Sequence, residues 1–580
     1  MTSPGIAGTA GWVAALKHGI NGHVARRFVA RLVLILTCLL ILPHPATAQS
    51  PRTAMPKSLT VDVQIRDDGI RLIWPTAKPR FVGNVEISRR PLGATGPDSW
   101  EVIAPRAGTV MAYLDAGAAP GTPWEYRVRR IGREVVDQGY VAAGIDLPAI
   151  EDRGTALMIV DDTIAEPLAP ELERFRNDLI GDGWQVTRID APSMRDITKN
   201  PAEVRQRADA LKSQIIRARI DHTQGDFTLI LIGNLPLVRS GQIAPDGHQA
   251  RAFGTDLYYA DIGGRWPVKP DGDLLPSILP DGKIEMSIGR IDFHNVGPEG
   301  SVGEIEMLRR YFDRNHAWRH GLWGDLRRAY AGARGHLMVE AAGLTNIVGA
   351  QALDARGHNE TTDPQRWLFG VDFGKAQSKA YFEQPVEAPV FAMNFGSHKL
   401  AIDRPGNQMA AMLAHPNQTL AVAWGARPAW RLHGMAVGET IGRAQLRTVN
   451  NGPRPGEGIE SIDYLPTGPY LFVYPIWGNL LGDPTLHAFP ALPPSDLARR
   501  DTDQGAQLTW TVSREPGARY RLYRATGDAH FTRIGPEAIE GNSYTDPEPP
   551  EGARYMIRAL VAKTANAATF QTLSTGIMTN

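Results

Sequence analysis

The chain has 580 residues, with 62 basic and 62 acidic side chains. That length exceeds one compact unit and implies roughly three to five domains, while the balanced charge supplies no global field to attract nucleic acid or an anionic membrane. Glycine at 59 and proline at 44 are abundant, as in short strands joined by many turns.

The N-terminus carries the three-part pattern of an export signal. Arg26, Arg27 and Arg31 precede the apolar run Leu32–Leu42, and Pro43 and the small-residue site Ala46-Thr47-Ala48 follow it. An apolar stretch of about 11 residues falls short of the roughly 20 that span a bilayer. Residues 1–48 are therefore expected to be a signal peptide, and the mature protein periplasmic or extracellular with no membrane span. The one cysteine, Cys38, lies inside that run, with Thr37 before it and apolar residues after it, which makes it a poor lipidation site. The mature chain then has neither a disulfide nor a thiolate metal site, and its stability must come from packed cores.

Two segments, 57–148 and 497–578, repeat one order of features. The first runs through Ile70–Trp74, Val85–Arg89, Trp100–Ile103, Tyr113–Asp115 and Trp124–Val128. The second runs through Gln507–Trp510, Tyr520–Tyr523, Phe531–Ile534, Tyr544–Asp546 and Tyr555–Arg558. Alternating apolar residues with Gly, Pro and Asp turns at intervals of roughly 8–12 residues predict antiparallel sandwiches. The order resembles a fibronectin type III domain. That resemblance implies that Trp74 and Trp510 are core tryptophans of the second strand. It also implies that Tyr126 and Tyr555 tie the strand before the last to the preceding turn. Such modules commonly act as spacers or binding surfaces, and carbohydrate binding by the sandwich modules is an alternative use.

Between the sandwiches the pattern becomes strand, helix, strand. Ala156–Val160 is a continuous apolar run ending in Asp161-Asp162, as in a buried parallel strand. Leu168–Ile180 places Leu172, Phe175 and Leu179 on one helical face, and the turn Gly181–Gly183 stops it. Trp184–Ile189 reads as the next strand, 201–219 as a helix carrying Val204, Leu211, Ile215 and Ile216, and Phe227–Ile232 as a strand ending in Gly233-Asn234. Repeated βα units predict a sheet with helices on its faces.

Four segments in this region, taken together, resemble the gingipain-like family of cysteine peptidases. They are Leu229–Asn234, Thr255–Ala260, Met286–Arg290 before the helix Glu304–Tyr311, and Trp477–Leu486 with its Gly482-Asp483-Pro484-Thr485 core. The resemblance spans 152–490, divided into an N-terminal α/β part at 152–325 and a C-terminal one at 326–490. It implies a multidomain chain: a central caspase-like α/β sheet sandwiched by helices, with an all-β fibronectin type III-like sandwich at each end. It also implies a catalytic His and Cys at the C-terminal ends of neighbouring strands, where open α/β sheets generally place their chemistry.

Residue by residue, the dyad is incomplete. Ala388–His398 resembles the family's histidine strand and puts His398 at the catalytic position, with Ser397 before it and Lys399 in place of the usual glycine. Thr419–Trp424 resembles the strand that delivers the nucleophile, and Gly438–Arg443 the helix after it; the cysteine position falls on Trp424. An indole has one N–H donor and no lone pair available for attack. A thiolate beside an imidazolium is what this mechanism requires, and removing a nucleophile costs on the order of 10⁴–10⁶ in rate. The expectation is a catalytically inactive member of the family that binds a peptide or protein partner. The alternative is an active hydrolase in which His398 works with a substitute nucleophile or a metal, with His433 and Glu439 near the pocket edge as candidates. In trypsin-like gingipains, an acid matching Asp256 lines the primary specificity pocket, which makes Asp256 a candidate holder of a basic substrate side chain, against the plainer reading of a turn Asp that caps the strand end. No cofactor is expected; acidic turns such as Asp161-Asp162 leave calcium binding open.

Overall fold

The computed structural model describes residues 57–579 apart from 77–83, 106–109, 133–134, 198–199, 223–224, 243–251, 270–271, 275–281, 298–302, 332–337, 355–365, 373–388, 395–398, 417, 426–427, 453–461, 465–474 and 528. A ten-stranded sheet occupies the middle of the sequence. Its strands are β1 (Gly154–Asp161), β2 (Trp184–Ala191), β3 (Phe227–Ile232), β4 (Ser287–Ile291), β5 (Ala329–Ala331), β6 (Leu353–Asp354), β7 (Phe369–Asp372), β8 (Phe391–Asn394), β9 (Ala421–Trp424) and β10 (Leu480–Gly482). The helices that matter below are α1 (Ala169–Gly181), α2 (Pro201–Asp221), α3 (Glu304–Arg319), α4 (Met338–Val348), α5 (Gln408–Ala414) and α6 (Ile441–Val449).

The strand order is β2-β1-β3-β4-β10-β9-β8-β7-β5-β6. Every neighbouring pair is parallel except β9 with β10. Two parallel halves therefore run in opposite directions and meet at β10. Every residue of β1 and of β3 is buried, which is why both read as unbroken apolar runs instead of alternating ones. Where β4 and β10 adjoin, two glycines face each other: a Cβ on Gly289 would sit 2.2 Å from the Gly482 carbonyl oxygen. Only a bare backbone at Gly289 allows that approach, and Gly482 is required separately, because at φ +107° its own Cβ would sit 2.1 Å from the Leu420 carbonyl oxygen.

Next to Gly482, Asp483 is buried and accepts hydrogen bonds from Asn315 Nδ2 at 2.8 Å and Arg319 Nη2 at 2.5 Å. Its other oxygen accepts from the Thr485 amide and hydroxyl. The Gly-Asp-Pro-Thr segment thus anchors α3 to the sheet. It also explains why α3 runs two turns beyond the expected Tyr311: its buried face continues through Asn315, Trp318 and Arg319, and paired polar residues carry no apolar periodicity.

Each terminal segment contributes one part of a second ten-stranded sheet and a separate three-stranded one. The strand Ala568–Leu573 pairs in parallel with Val135–Leu147 through Ala568 opposite Gly144 and Phe570 opposite Leu147. The sandwiches expected at opposite ends of the sequence therefore share a continuous sheet. Their hydrophobic interiors differ. The residues around Trp74 and Tyr126 belong to one cluster with the central sheet, whereas those around Trp510 and Tyr555 form a cluster of their own. The described residues are thus mostly β, in several sheets with fewer helices. Among them, no helix is long and apolar enough to cross a membrane.

Candidate functional site

Strands β8 and β9 are hydrogen-bonded neighbours, and their last residues, Asn394 and Trp424, lie opposite each other. The segment that follows β8 carries Ser397 and His398, which lie outside the described residues. Immediately after it, buried Lys399 folds back and donates through Nζ to Asn394 Oδ1. Asn407, which caps α5, donates to the carbonyls of Lys399 at 2.7 Å and Ala401 at 2.9 Å. These bonds fix the chain on the far side of His398. Ala401, Asp403 and Arg404 then line an open cleft of ≈ 320 Å³ together with Arg239, Gln242, Ala252 and Asp273.

The end of β9 is closed by aromatics. Trp424 is 1% exposed, and its ring stands edge-on to Trp477 at 6.4 Å between centroids. Its carbonyl accepts the Trp430 indole N–H at 3.1 Å. The Trp430 amide in turn donates to buried Glu340 at 3.1 Å, and the Gly425 amide donates to the Asn394 carbonyl at 3.1 Å. The position matched to the nucleophile therefore holds a packed indole, with a glycine beside it.

Asp256 is also buried, and its carboxylate is occupied. Arg290 approaches it with Nε at 3.0 Å and Nη2 at 2.7 Å, while the Asp256 amide donates to Asn479 Oδ1 at 2.9 Å. To accept a substrate's basic group, this carboxylate would have to release Arg290 inside the protein, where an unpaired guanidinium is costly.

His433 and Glu439 each have partners of their own. His433 Nε2 lies 2.5 Å from Glu125 Oε1 of the N-terminal sandwich, and Glu125 also accepts from Arg90 Nε at 2.6 Å. Glu439 pairs with Arg447 at 2.6 Å. Burial alone would raise the Glu125 carboxyl, but His433 and the Arg90 and Arg447 guanidiniums outweigh it and bring it down to about 2. Burial dominates at His433 and lowers it. The group is a buried histidine–carboxylate–arginine cluster, a structural joint between two parts of the fold.

Asp161, in the acidic turn, is fully buried and saturated with donors: the Thr163 amide and hydroxyl, the Ser193 hydroxyl, the Asn234 amide and Arg195. It shapes the turn at the end of β1.

A different group has the chemistry to hold a metal. Asp178 on α1 faces His316 on α3 and His320 at its C-cap, with one ligand atom from each residue within 4.8 Å of the others. His316 Nδ1 lies 2.8 Å from Asp178 Oδ2, and His320 Nε2 lies 2.9 Å from Asp178 Oδ1. Burial would raise the Asp178 carboxyl, but the hydrogen bonds from His316 and His320 prevail and lower it to about 2. The sequence offered half of this signal, two histidines four residues apart. The acid is 138 residues from the nearer histidine and could not be matched to them by spacing.

No protein-family model matches the chain, and no curated protein matches it either. Solved structures show low-level likenesses. Pectate lyase PelI from Erwinia chrysanthemi in complex with tetragalacturonic acid is 19% identical, with a TM-score of 0.14, over 18% of this chain and 34% of the lyase. This chain thus spans about a third of the lyase's length. A Fn3-like protein from Clostridium thermocellum is 23% identical, with a TM-score of 0.12, over 15% of this chain and 88% of its own. Dimeric latent PorU from Porphyromonas gingivalis is 10% identical, with a TM-score of 0.24, over 85% of this chain and 49% of its own. None of these likenesses assigns a chemistry to the residues above.

Proposed function

We propose that this chain is an exported, gingipain-like protein with a caspase-like central region that lacks cysteine-peptidase chemistry and serves as a binding or assembly component. The observation that carries this reading is the packed Trp424 indole at the end of β9, opposite the last residue of the strand that leads to His398. With Cys38 in the expected signal peptide, no mature position supplies a thiol. A partner peptide is assigned to the cleft lined by Ala401, Asp403 and Arg404, which follows His398 in the chain and is open where the strand end is closed.

Purified residues 49–580 incubated with a broad peptide library, with and without Zn²⁺ or Ca²⁺, are expected to cleave nothing. Cleavage abolished by His398→Ala would overturn the reading in favour of a hydrolase with a substitute nucleophile or metal. Export is tested separately by fractionating cells that express the full chain. Retention of residues 1–48 on a cytoplasmic product would remove that part of the proposal.

A further inference from the structure

We propose that Asp178, His316 and His320 bind one divalent transition-metal ion of the zinc class, held between α1 and α3. Imidazole nitrogens and a carboxylate oxygen are the donors that Zn²⁺ takes when no thiolate is present. Residues four apart lie on one helical face, and the His316 and His320 rings are 4.0 Å apart between centroids. In a tetrahedral Zn²⁺ site with bonds of about 2.0–2.1 Å, ligand atoms stand roughly 3.3–3.4 Å from one another. The two nitrogens already lie 2.8 and 2.9 Å from the carboxylate oxygens. Opening each of these nitrogen–oxygen contacts by about 0.5 Å would bring it to that spacing.

The ligands stand on elements that are fixed without a metal. Phe175 packs on Phe312 at 5.2 Å, about one helical turn before Asp178 and His316. On the other side Arg319 pairs with buried Asp182. Ligands carried by two helices so braced need little further ordering to bind. The side chain of Asp178 is 7% exposed, that of His320 12% and that of His316 31%. The group is thus sunk into the helix pair but reachable from the His316 side, where a fourth position faces solvent and water can complete the coordination.

A divalent ion would use the two ring nitrogens and the carboxylate that already face one another. The three ligands stand on α1 and α3 and none on β8 or β9, so the site stands or falls independently of the peptidase reading.

The test uses residues 49–580 stripped with EDTA. Zn²⁺ is titrated against a chromophoric chelator, and Co²⁺ is added while the visible spectrum is recorded. One equivalent of Zn²⁺ and the intense d–d bands of a four-coordinate Co²⁺ site are expected. H316Q, which changes the most exposed ligand, should weaken binding by more than the roughly 10–100-fold that loss of a ligand's hydrogen-bond partner causes. H320Q should do the same, and H294Q, at a His–Asp contact elsewhere, should leave binding unchanged. Circular dichroism of the stripped proteins establishes which variants fold, and either histidine variant suffices for the comparison. Failure of the wild-type chain to bind one equivalent, or equal binding by wild type and a folded H316Q or H320Q variant, would overturn the proposal.

Discussion

In the N-terminal sandwich Tyr126 donates to Asp115 at 2.8 Å, and Arg89 pairs with the same carboxylate at 2.8 Å. In the C-terminal sandwich Tyr555 donates to Asp546 at 2.7 Å, and Arg524 pairs with it at 2.8 Å. The local device is duplicated, yet the modules are attached differently. The residue before Tyr126 is Glu125, which is fully buried and reaches across to His433. The residue before Tyr555 is Arg554, half-buried, whose guanidinium reaches the Gly527 carbonyl and the Phe531 ring of its own module. The N-terminal module shares its core with the central sheet, whereas the C-terminal one keeps its own. A common scaffold thus leaves one position free to become either a buried joint or a half-buried side chain held within its own module.

The largest expected effect tests that difference directly. Glu125→Ala takes the buried carboxylate from His433 and from Arg90, which keeps Asp463 as its ion-pair partner, and should cost about 3 kcal/mol. Arg554→Ala, at the equivalent position, should stay within about 0.5 kcal/mol. Urea unfolding of both variants measures the contrast, and similar losses at the two positions would erase it.

The same joint predicts a pH window. The Glu125 carboxyl titrates at about 2 in the folded chain against 4.5 for an unperturbed glutamate. Its contribution is therefore fully present above about pH 4.5 and is lost as pH falls toward 2. The stability gap between wild type and Glu125→Gln should be widest near neutrality and narrow between those limits. A gap that widens on acidification would mean that the carboxylate is not held ionised.

The duplicated device itself should respond equally in both modules. Tyr126→Phe and Tyr555→Phe each remove one hydrogen bond to an ionised carboxylate, a loss of about 1.5–3 kcal/mol apiece. Asp115 and Asp546 each keep their arginine in these variants, so neither carboxylate is stranded. Melting curves that resolve the C-terminal module from the rest would report the two losses separately.

Much of this architecture was legible in the sequence wherever apolar residues alone mark an element. Strand β3 has the bounds its apolar run suggested, because Asp226 and Gly233 punctuate it. Helix α1 came within a residue at each end, since Leu172, Phe175 and Leu179 define its buried face. The far end of α3 was hidden because its interior face is built from Asn315 and Arg319, paired with Asp483 and Asp182. The shared sheet was hidden because Ala568 opposite Gly144 is a contact between small residues with no local signature. At the candidate site, the strand ending in Trp424 could be read from its pattern, but the pairing of Asp256 with Arg290 and of His433 with Glu125 could not. Charge pairs between distant segments follow no periodicity, so hydropathy patterns cannot announce them.

The smallest expected effect concerns the two core tryptophans. Trp74 and Trp510 are each 3% exposed. The Trp74 indole N–H donates to the Val110 carbonyl at 3.0 Å, whereas the Trp510 indole N–H is buried without an acceptor among the described residues. Replacement by Phe removes similar volume at both places, so the packing loss is shared. At position 74 the change also removes the hydrogen bond to the Val110 carbonyl, while at position 510 it removes a donor without an acceptor among the described residues. Trp74→Phe should therefore be the more destabilising of the two by about 1 kcal/mol. Equal losses would mean that the Trp510 indole finds an acceptor in solution, such as an ordered water, and that the two cores are satisfied to the same degree.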